Sequence, residues 1–568
     1  MSASRSALAA ARRPYRARGL PQLLVTLALC ALAAVLGLTL PTNHDEYQYV
    51  AAAWLVSEAR PYLDFFYSQT PLFPVALAGW LGLADGLLPS SYLAARLFTI
   101  VWSAVFVAAL SHVLFRLSPS RLLAAAITIA LLCTEILDLP LQTARNDMMP
   151  LALATVALAL MVHAFWVGQI AARARAALHL VAGVLLALAV GTKQSYAFVA
   201  GVAALATLLS PHLPPGPRLR SQFLPLAAGG ALGALPLALL TAPDIENFLY
   251  ANLEFHRTHH LWWSSRTPEE EAAISSLAVR AYVLARTLAT APMVLLGLLF
   301  AACLSLAMAR RQSAGPEERR LWSVLFLAGG TVLVAIPVLM MPMPLHPHYA
   351  APVLPFIGAC AVAAAALACR AAPVRPLLRW AGVAVLATTL AYGLITPQRG
   401  AIARLHDVAK AVLRGEGDDS AGDGAWVGAH AARVEARLRE VLGPPRRDLR
   451  IATIMNIYPI GAGFGVYREL AGAPFFYQTN DRIAPVQLRR LVGTSPRLAP
   501  AWLAEAEVQV VLVGYMVQLD APLRGYAQGQ GFLCFRVDLR GGQSDHPDPG
   551  AGELWVAAAL ARAAPDCG

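Results

Sequence analysis

The sequence predicts a polytopic α-helical membrane protein with an extracytoplasmic α/β domain at its C-terminal end. Three observations lead there. The 568 residues are 57% hydrophobic and only 14% charged, whereas soluble globular chains carry about 25% charged residues. Apolar runs of roughly 20 residues, the length that crosses a bilayer as a helix, recur between Leu20 and Ile395. Beyond about Pro397 polar and apolar residues mix and no such run occurs.

The formal charge of +11 is not a nucleic-acid footprint. The basic residues lie in short clusters between apolar runs, as the positive-inside rule gives cytoplasmic loops. Residues 1–19 carry Arg5, Arg12, Arg13, Arg16 and Arg18 with no acid, so the N-terminus is expected in the cytoplasm. Leu20 to Leu40 is then a first crossing that exits outward. It reads as an uncleaved helix rather than a signal peptide, because the run is long and no clear small-x-small site precedes Thr42. Residues 41–90 form the first outer loop. Within it, Pro71 to Leu88 is apolar but broken by Pro74, Gly79, Gly82 and Asp85, and is expected to lie on or partly in the membrane.

Tyr92–Phe115, Leu122–Leu139 and Met148–Val167 are the next crossings. Leu178 to Ser210 is either one long helix or two short ones. Splitting it at Gly191–Ser195 keeps Arg218 and Arg220 inside, and after them Arg310, Arg311, Arg319, Arg320, Arg370, Arg375 and Arg379. The split leaves Lys193 at membrane depth on the outer side, a costly place for a lone cation. Phe223–Leu240, Tyr282–Ala309, Leu321–Met341, Tyr349–Cys369 and Leu377–Ile395 complete about eleven crossings, a transmembrane domain over residues 20–396. The outer loop Asp244–Arg280 is long and aromatic. Its His256-x-x-His259-His260 could bind a metal, but beside Trp262-Trp263 it reads better as an interfacial loop.

Residues 397–568 are expected outside the cytoplasm. Gly415–Gly424 reads as a flexible acidic link. Arg450–Met455, Val508–Val513 and Phe532–Val537 read as strands, and Ala429–Leu442 and Pro485–Val492 as helices. Cys30, Cys133, Cys303, Cys360 and Cys369 lie in apolar runs as small hydrophobes. Cys534 and Cys567 could pair in an oxidising compartment, although the penultimate position of Cys567 argues against it.

The outer-face polar residues near the membrane are Asp45, Glu46, Asp64, Arg145, Asp147, Lys193, His346, His348 and Tyr349. Each taken singly is an ordinary cap or anchor. Together, cations beside carboxylate pairs make an anion site with a base next to it.

These residues fall in segments that resemble the GT-C glycosyltransferases, the integral-membrane enzymes that include protein O-mannosyltransferases and lipid A aminoarabinose transferases. Asp45-Glu46 after the first helix, Pro61-Tyr62-x-Asp64 and Thr70-Pro71-Leu72 look like that family's first outer loop. Ala144-Arg145-Asn146-Asp147 resembles its Arg-x-Asp motif, Gly191-Thr192-Lys193 its Thr-Lys between short helices. His346 to Pro355 looks like its His/Arg-Tyr-x-x-Pro-x-x-Pro segment. The resemblance covers roughly Leu20 to Ile395 and leaves the C-terminal domain without a motif.

The resemblance implies a polyprenyl-phosphate-linked sugar donor and inverting transfer onto an acceptor hydroxyl or amine of a lipid, protein or glycan. It implies Asp45 as general base, with Glu46 as helper or structural partner. Lys193 and Arg145 would hold the leaving lipid phosphate, His348 and Tyr349 would line the donor site, and Asp64 and Asp147 would support substrate binding or simply cap. No Asp-x-Asp motif or nucleotide loop occurs, and no metal or other cofactor is indicated. The competing classes are a transporter or flippase for lipid-linked sugars and a non-catalytic assembly subunit. A transporter should carry ionisable groups within its helices and repeated halves. Here the charges gather at one face and no repeat is evident.

Overall fold

The computed structural model describes residues 19–39, 42–88, 90–166, 171–263, 276–309, 315–342, 345–395, 427–539 and 551–567. The basic N-terminus, Arg310, Arg311 and the link Gly415–Gly424 lie outside the described residues.

Helices α1 (Gly19–Thr39), α2 (His44–Val56), α3 (Leu72–Ala84), α4 (Ser91–Leu117), α5 (Arg121–Leu132), α6 (Asp138–Gln142), α7 (Met148–Trp166), α8 (Ala172–Thr192) and α9 (Ala197–Leu209) open the chain. They are followed by α10 (Leu224–Thr241), α11 (Phe255–Trp263), α12 (Leu277–Leu288), α13 (Ala291–Ala309), α14 (Pro316–Leu339), α15 (Leu354–Ala371) and α16 (Arg375–Ile395). Among the described residues nine helices are long and apolar enough to cross a membrane, or ten if the bent pair α5 and α6 is one span. The chain is a multi-pass membrane protein, and each expected crossing falls on a helix.

Three boundaries differ from expectation. Leu122–Leu139 is bent by 55° at Cys133–Thr134, where Thr134 turns its hydroxyl back onto the Leu131 carbonyl. Tyr282–Ala309 is two helices, α12 and α13, because Ser276 and not Tyr282 starts the first and Pro292 starts the second. The expected loop after Asp244 is helical as far as Trp263, and residues 264–275 lie outside the described set. The split before Lys193 is present, but α8 is 21 residues long and only the following segment is short.

The bundle is centred on α15 and α7, whose spanning windows are 89% and 78% buried, against 17% for the run containing α10. Alanine makes this possible: Ala359, Ala361, Ala363, Ala364 and Ala365 are all buried on α15, and small side chains let helices pack closely where apolar lipid supplies no hydrophobic drive. The same device joins α8 to α10. A Cβ on Gly229 would stand 1.9 Å from the Leu180 carbonyl oxygen, and one on Gly183 2.1 Å from that of Leu226.

The C-terminal region is α/β as expected. Helix α17 (Val427–Leu442) precedes strands β1 (Arg450–Ile451) and β2 (Gly465–Val466), which pair in parallel. Strands β3 (Val510–Val513), β4 (Leu533–Asp538) and β5 (Ala551–Val556) form an antiparallel sheet in the order β3-β5-β4, with Val511 opposite Trp555 and Cys534 opposite the same residue. A bridge between Ala452 and Val511 joins the two sheets. Its helices include short α18 (Phe475–Thr479) and longer α19 (Val517–Gly529), and a helix at Pro485–Arg490 lies where one was expected. Cys534 and Cys567 form a disulfide, contrary to the argument from chain position. Strand β5 carries the chain end back past β4, and Cys567 N donates to the Cys534 carbonyl at 3.4 Å.

Candidate functional site

Helix α2 starts the site. Asn43 caps it, accepting from Asp45 N at 3.0 Å, while Glu46 reaches back to Asn43 N at 2.8 Å. This capping box fixes the first turn and so fixes Asp45. The loop 143–147 brings Arg145 to the same point and α8 ends there with Lys193, whose extended backbone (φ −150°) turns it off the helix. Thr70 donates to the Val190 carbonyl at 3.0 Å and ties the 41–90 loop to the end of α8.

Four of the expected residues form one chain of charges. Arg145 pairs with Asp45 and, through Nε at 3.0 Å, with Asp147; Asp147 in turn pairs with Lys193. His348 Nε2 lies 2.9 Å from Arg145 Nη2, and the Lys193 ammonium sits 5.6 Å from the Tyr349 ring centroid. Burial works to raise the Asp147 carboxyl, but Lys193 and Arg145 outweigh it and hold it well below the usual carboxylate range. Burial works against the Arg145 charge and is outweighed by Asp45 and Asp147, so the guanidinium is held charged. Between them Asn146 is fully buried, with neither amide atom partnered. A buried unmet amide costs about 1–3 kcal/mol.

Glu46 stands behind Asp45, fully buried. Its oxygens accept from Arg96 Nε and Nη2 at 2.6 Å each, Tyr92 at 2.9 Å and Ala144 N at 2.6 Å. Arg96 also donates to the carbonyls of Gly37 and Gln142. Sequence reading missed Arg96; the signal was one arginine inside the apolar run Tyr92–Phe115. Asp64 is bonded within its own turn, accepting from Arg60 N at 2.8 Å. Among the described residues no hydrogen bond or ion pair joins it to the Asp45 cluster. Tyr62 in that turn has φ +70°, a strained conformation for a non-glycine residue.

Sequence reading also missed the aromatic side of the site. His44, whose Nε2 is 3.6 Å from Asp45 Oδ1, packs on Phe475 at 5.4 Å and Tyr515 at 6.1 Å, both from the C-terminal region. His259 packs on Phe475 at 6.1 Å and stacks with Trp262. His346 stacks on His348 at 5.4 Å, and burial lowers its basicity. Among the described residues no group of three or more His, Cys, Asp or Glu side chains could hold a metal ion; His256 packs on Phe255 and meets Gln194 Nε2 at 3.3 Å.

No protein-family model and no curated protein matches the sequence. Solved structures do match by shape. ArnT from Cupriavidus metallidurans bound to undecaprenyl phosphate aligns over 96% of this chain and 99% of its own, at TM-score 0.57 and 13% identity. The same protein in the apo state gives TM-score 0.58 and 14% identity over 97% and 100% of the two chains. AglB from Archaeoglobus fulgidus, in complex with an inhibitory peptide and a dolichol-phosphate, gives TM-score 0.44 and 12% identity over 87% and 69%. The chain therefore has the ArnT fold over nearly its whole length, and the GT-C-like architecture implied by its loop motifs is borne out.

Proposed function

We propose that the chain is a membrane glycosyltransferase that moves a sugar from a polyprenyl-phosphate donor to an acceptor at the extracytoplasmic face. The observation that carries this reading is the buried chain Asp45–Arg145–Asp147–Lys193, on a fold whose neighbour ArnT binds undecaprenyl phosphate. Two cations that face two carboxylates are balanced while the site is empty. An arriving lipid phosphate competes for Arg145 and Lys193 by charge-assisted hydrogen bonds, and Arg145 turning to it releases Asp45. The acceptor O–H or N–H then attacks the anomeric carbon from the face opposite the phosphate, its proton passes to Asp45, and the C–O bond to phosphate breaks with its electron pair. Lys193 and Arg145 stabilise the departing charge, Asn146 supplies hydrogen bonds, and His348 and Tyr349 shape the donor pocket. Glu46 positions Asp45 without reacting, and Asp64 shapes the loop. Residues 20–396 act as the catalytic unit, and residues 397–568 cover it from outside. The Cys534–Cys567 disulfide supports that side assignment, since disulfides persist in oxidising compartments.

The test is transfer by purified protein in lipid, supplied with a panel of polyprenyl-phosphate sugars and followed by release of free polyprenyl phosphate. Asp45→Asn is expected to lose about 10²–10⁴-fold and Lys193→Ala about 10²–10³-fold, both still eluting as folded protein. A wild type inert with every donor that instead moves labelled lipid between leaflets would make this site a lipid-binding patch in a transporter.

A further inference from the structure

The opposite end of the bundle holds a second polar cluster that the glycosyltransferase reading leaves unused. Arg175 and Lys193 stand near opposite ends of α8, roughly 27 Å apart at the helical rise of about 1.5 Å per residue. At the Arg175 end, Ser210, His212, Gln222 and Ser323 converge from three parts of the chain. The Ser210 and Ser323 hydroxyls are 2.7 Å apart, and His212 Nδ1 bonds both, at 3.0 Å to Ser323. Gln222 Nε2 meets His212 Nε2 at 3.0 Å, from a stretch, Leu219–Phe223, wound in wider π-type turns. Such turns recur at functional sites.

Phe165 lies between two imidazoles, 4.9 Å from the ring of His212 and 5.9 Å from that of His179. His179 is fully buried; its Nδ1 meets the Arg175 carbonyl at 2.9 Å, and its Nε2 has no partner. Gln222 Oε1 is likewise buried without a partner, and an amide rotation would exchange it for a donor.

The strongest charges acting on His212 are Arg175 on α8, Arg320 on α14 and Arg218 in the turn Pro215–Arg218, with His179 beside them. Burial first, and these cations after it, push the His212 imidazole down to about 3, so it is neutral at pH 7. Arg320 also acts directly against Arg175, like sign on like. Glu317 on the first turn of α14 is taken up by Arg370 of α15. The positive-inside rule accounts for arginines in a loop. It does not account for a buried and a half-buried histidine, two hydroxyls and an amide gathered within reach of those charges.

We propose that this cluster binds a phosphate group, with Arg175, Arg218 and Arg320 supplying the charge and His179 the further hydrogen bond. Phosphate oxygens meet planar guanidinium donors and an imidazole N–H well. The group is carried either by a lipid headgroup of the leaflet at that end or by a small soluble phosphate.

Thermal unfolding of the full chain in detergent, titrated separately with inorganic phosphate, short-chain phosphatidic acid and phosphatidylcholine of equal chain length, tests this. The wild type is expected to be stabilised by several degrees with phosphatidic acid and not with phosphatidylcholine. Stabilisation by inorganic phosphate as well marks a soluble ligand; stabilisation by phosphatidic acid alone marks a lipid. Arg175→Gln/Arg320→Gln is expected to weaken the apparent affinity at least tenfold, while Lys193→Ala at the far end keeps it. Should the double variant not fold, Arg320→Gln alone, on a half-buried side chain, carries the comparison. Native mass spectrometry of the folded fraction then counts the phosphatidic acid retained. No response in the wild type, an equal response in the arginine variants, or loss of the response in Lys193→Ala would each overturn the proposal.

Discussion

Glu46 accepts from Arg96, Tyr92, Asn43 N and Ala144 N, all of them buried with it or beside it. Its neighbour Asp45 pairs with Arg145 at the rim of the same cluster. Adjacent carboxylates on a helix point about 100° apart, and here that angle separates a fully buried, fully bonded carboxylate from one that faces Arg145. Losing one member of a buried ion pair leaves the other uncompensated and costs about 3–5 kcal/mol. Glu46→Gln is therefore expected to lower thermal stability by that order while the folded fraction retains turnover. Adding Arg96→Met should restore part of the stability, though the bonds from Arg96 to Gly37 and Gln142 are lost with it. A Glu46→Gln protein of wild-type stability and no turnover would instead make Glu46 part of the chemistry. Residues such as Asp45, Arg145, Asp147 and Lys193 were legible in the sequence because they interrupt or flank apolar runs. Arg96 was not, because one charge in a spanning helix gains meaning only from its partner, fifty positions away in sequence.

At the scale of elements, α8 and α10 meet backbone to backbone. The carbonyl oxygens of Leu180, Val184 and Leu226 occupy the space where side chains at Gly229, Gly233 and Gly183 would begin. A Cβ at Gly230, one residue along, meets nothing within 4 Å. Gly229→Val is thus expected to force the helices apart and to cost several degrees in thermal unfolding, with Gly230→Val close to wild type. Equal behaviour of the two would show that the helices do not pack through this face. The stretch also bears on both proposed sites, since α8 carries Lys193 at one end and Arg175 at the other. Hydropathy located these helices because spanning runs are long and nearly pure. It did not locate the 55° bend between α5 and α6 or the break between α12 and α13. At the bend the chain stays apolar and the Thr134 hydroxyl sets the boundary, and at the break Pro292 starts the second helix.

Across the whole molecule, the C-terminal region is docked onto the site through aromatic rings. Phe476 stacks on Phe66 with centroids 3.5 Å apart, and Tyr515 meets Tyr47 edge-on at 5.7 Å. Strands of this region were readable from β-branched runs such as Val510–Val513; its contacts with the membrane part carry no sequence pattern and were not. Tyr515 is held in place by Asp520, whose Oδ2 accepts from Gly514 N, Tyr515 N and Met516 N at 2.9, 2.8 and 3.0 Å. Burial is the main influence on that carboxyl and raises it to about 6, against the backbone donors. Glu435 on α17 is raised by burial to about 7 in the same way, with Arg439 opposing. Both folded values lie above the ordinary ones of about 3.9 and 4.3. Their contribution to stability is therefore complete below the ordinary values and is lost as the pH rises through about 6 and about 7. Each is worth at most on the order of 3 kcal/mol. Between pH 5 and pH 8 the wild type should lose several degrees more in unfolding temperature than Glu435→Gln/Asp520→Asn does. Parallel curves for the two proteins would show that these carboxyls do not set the pH response.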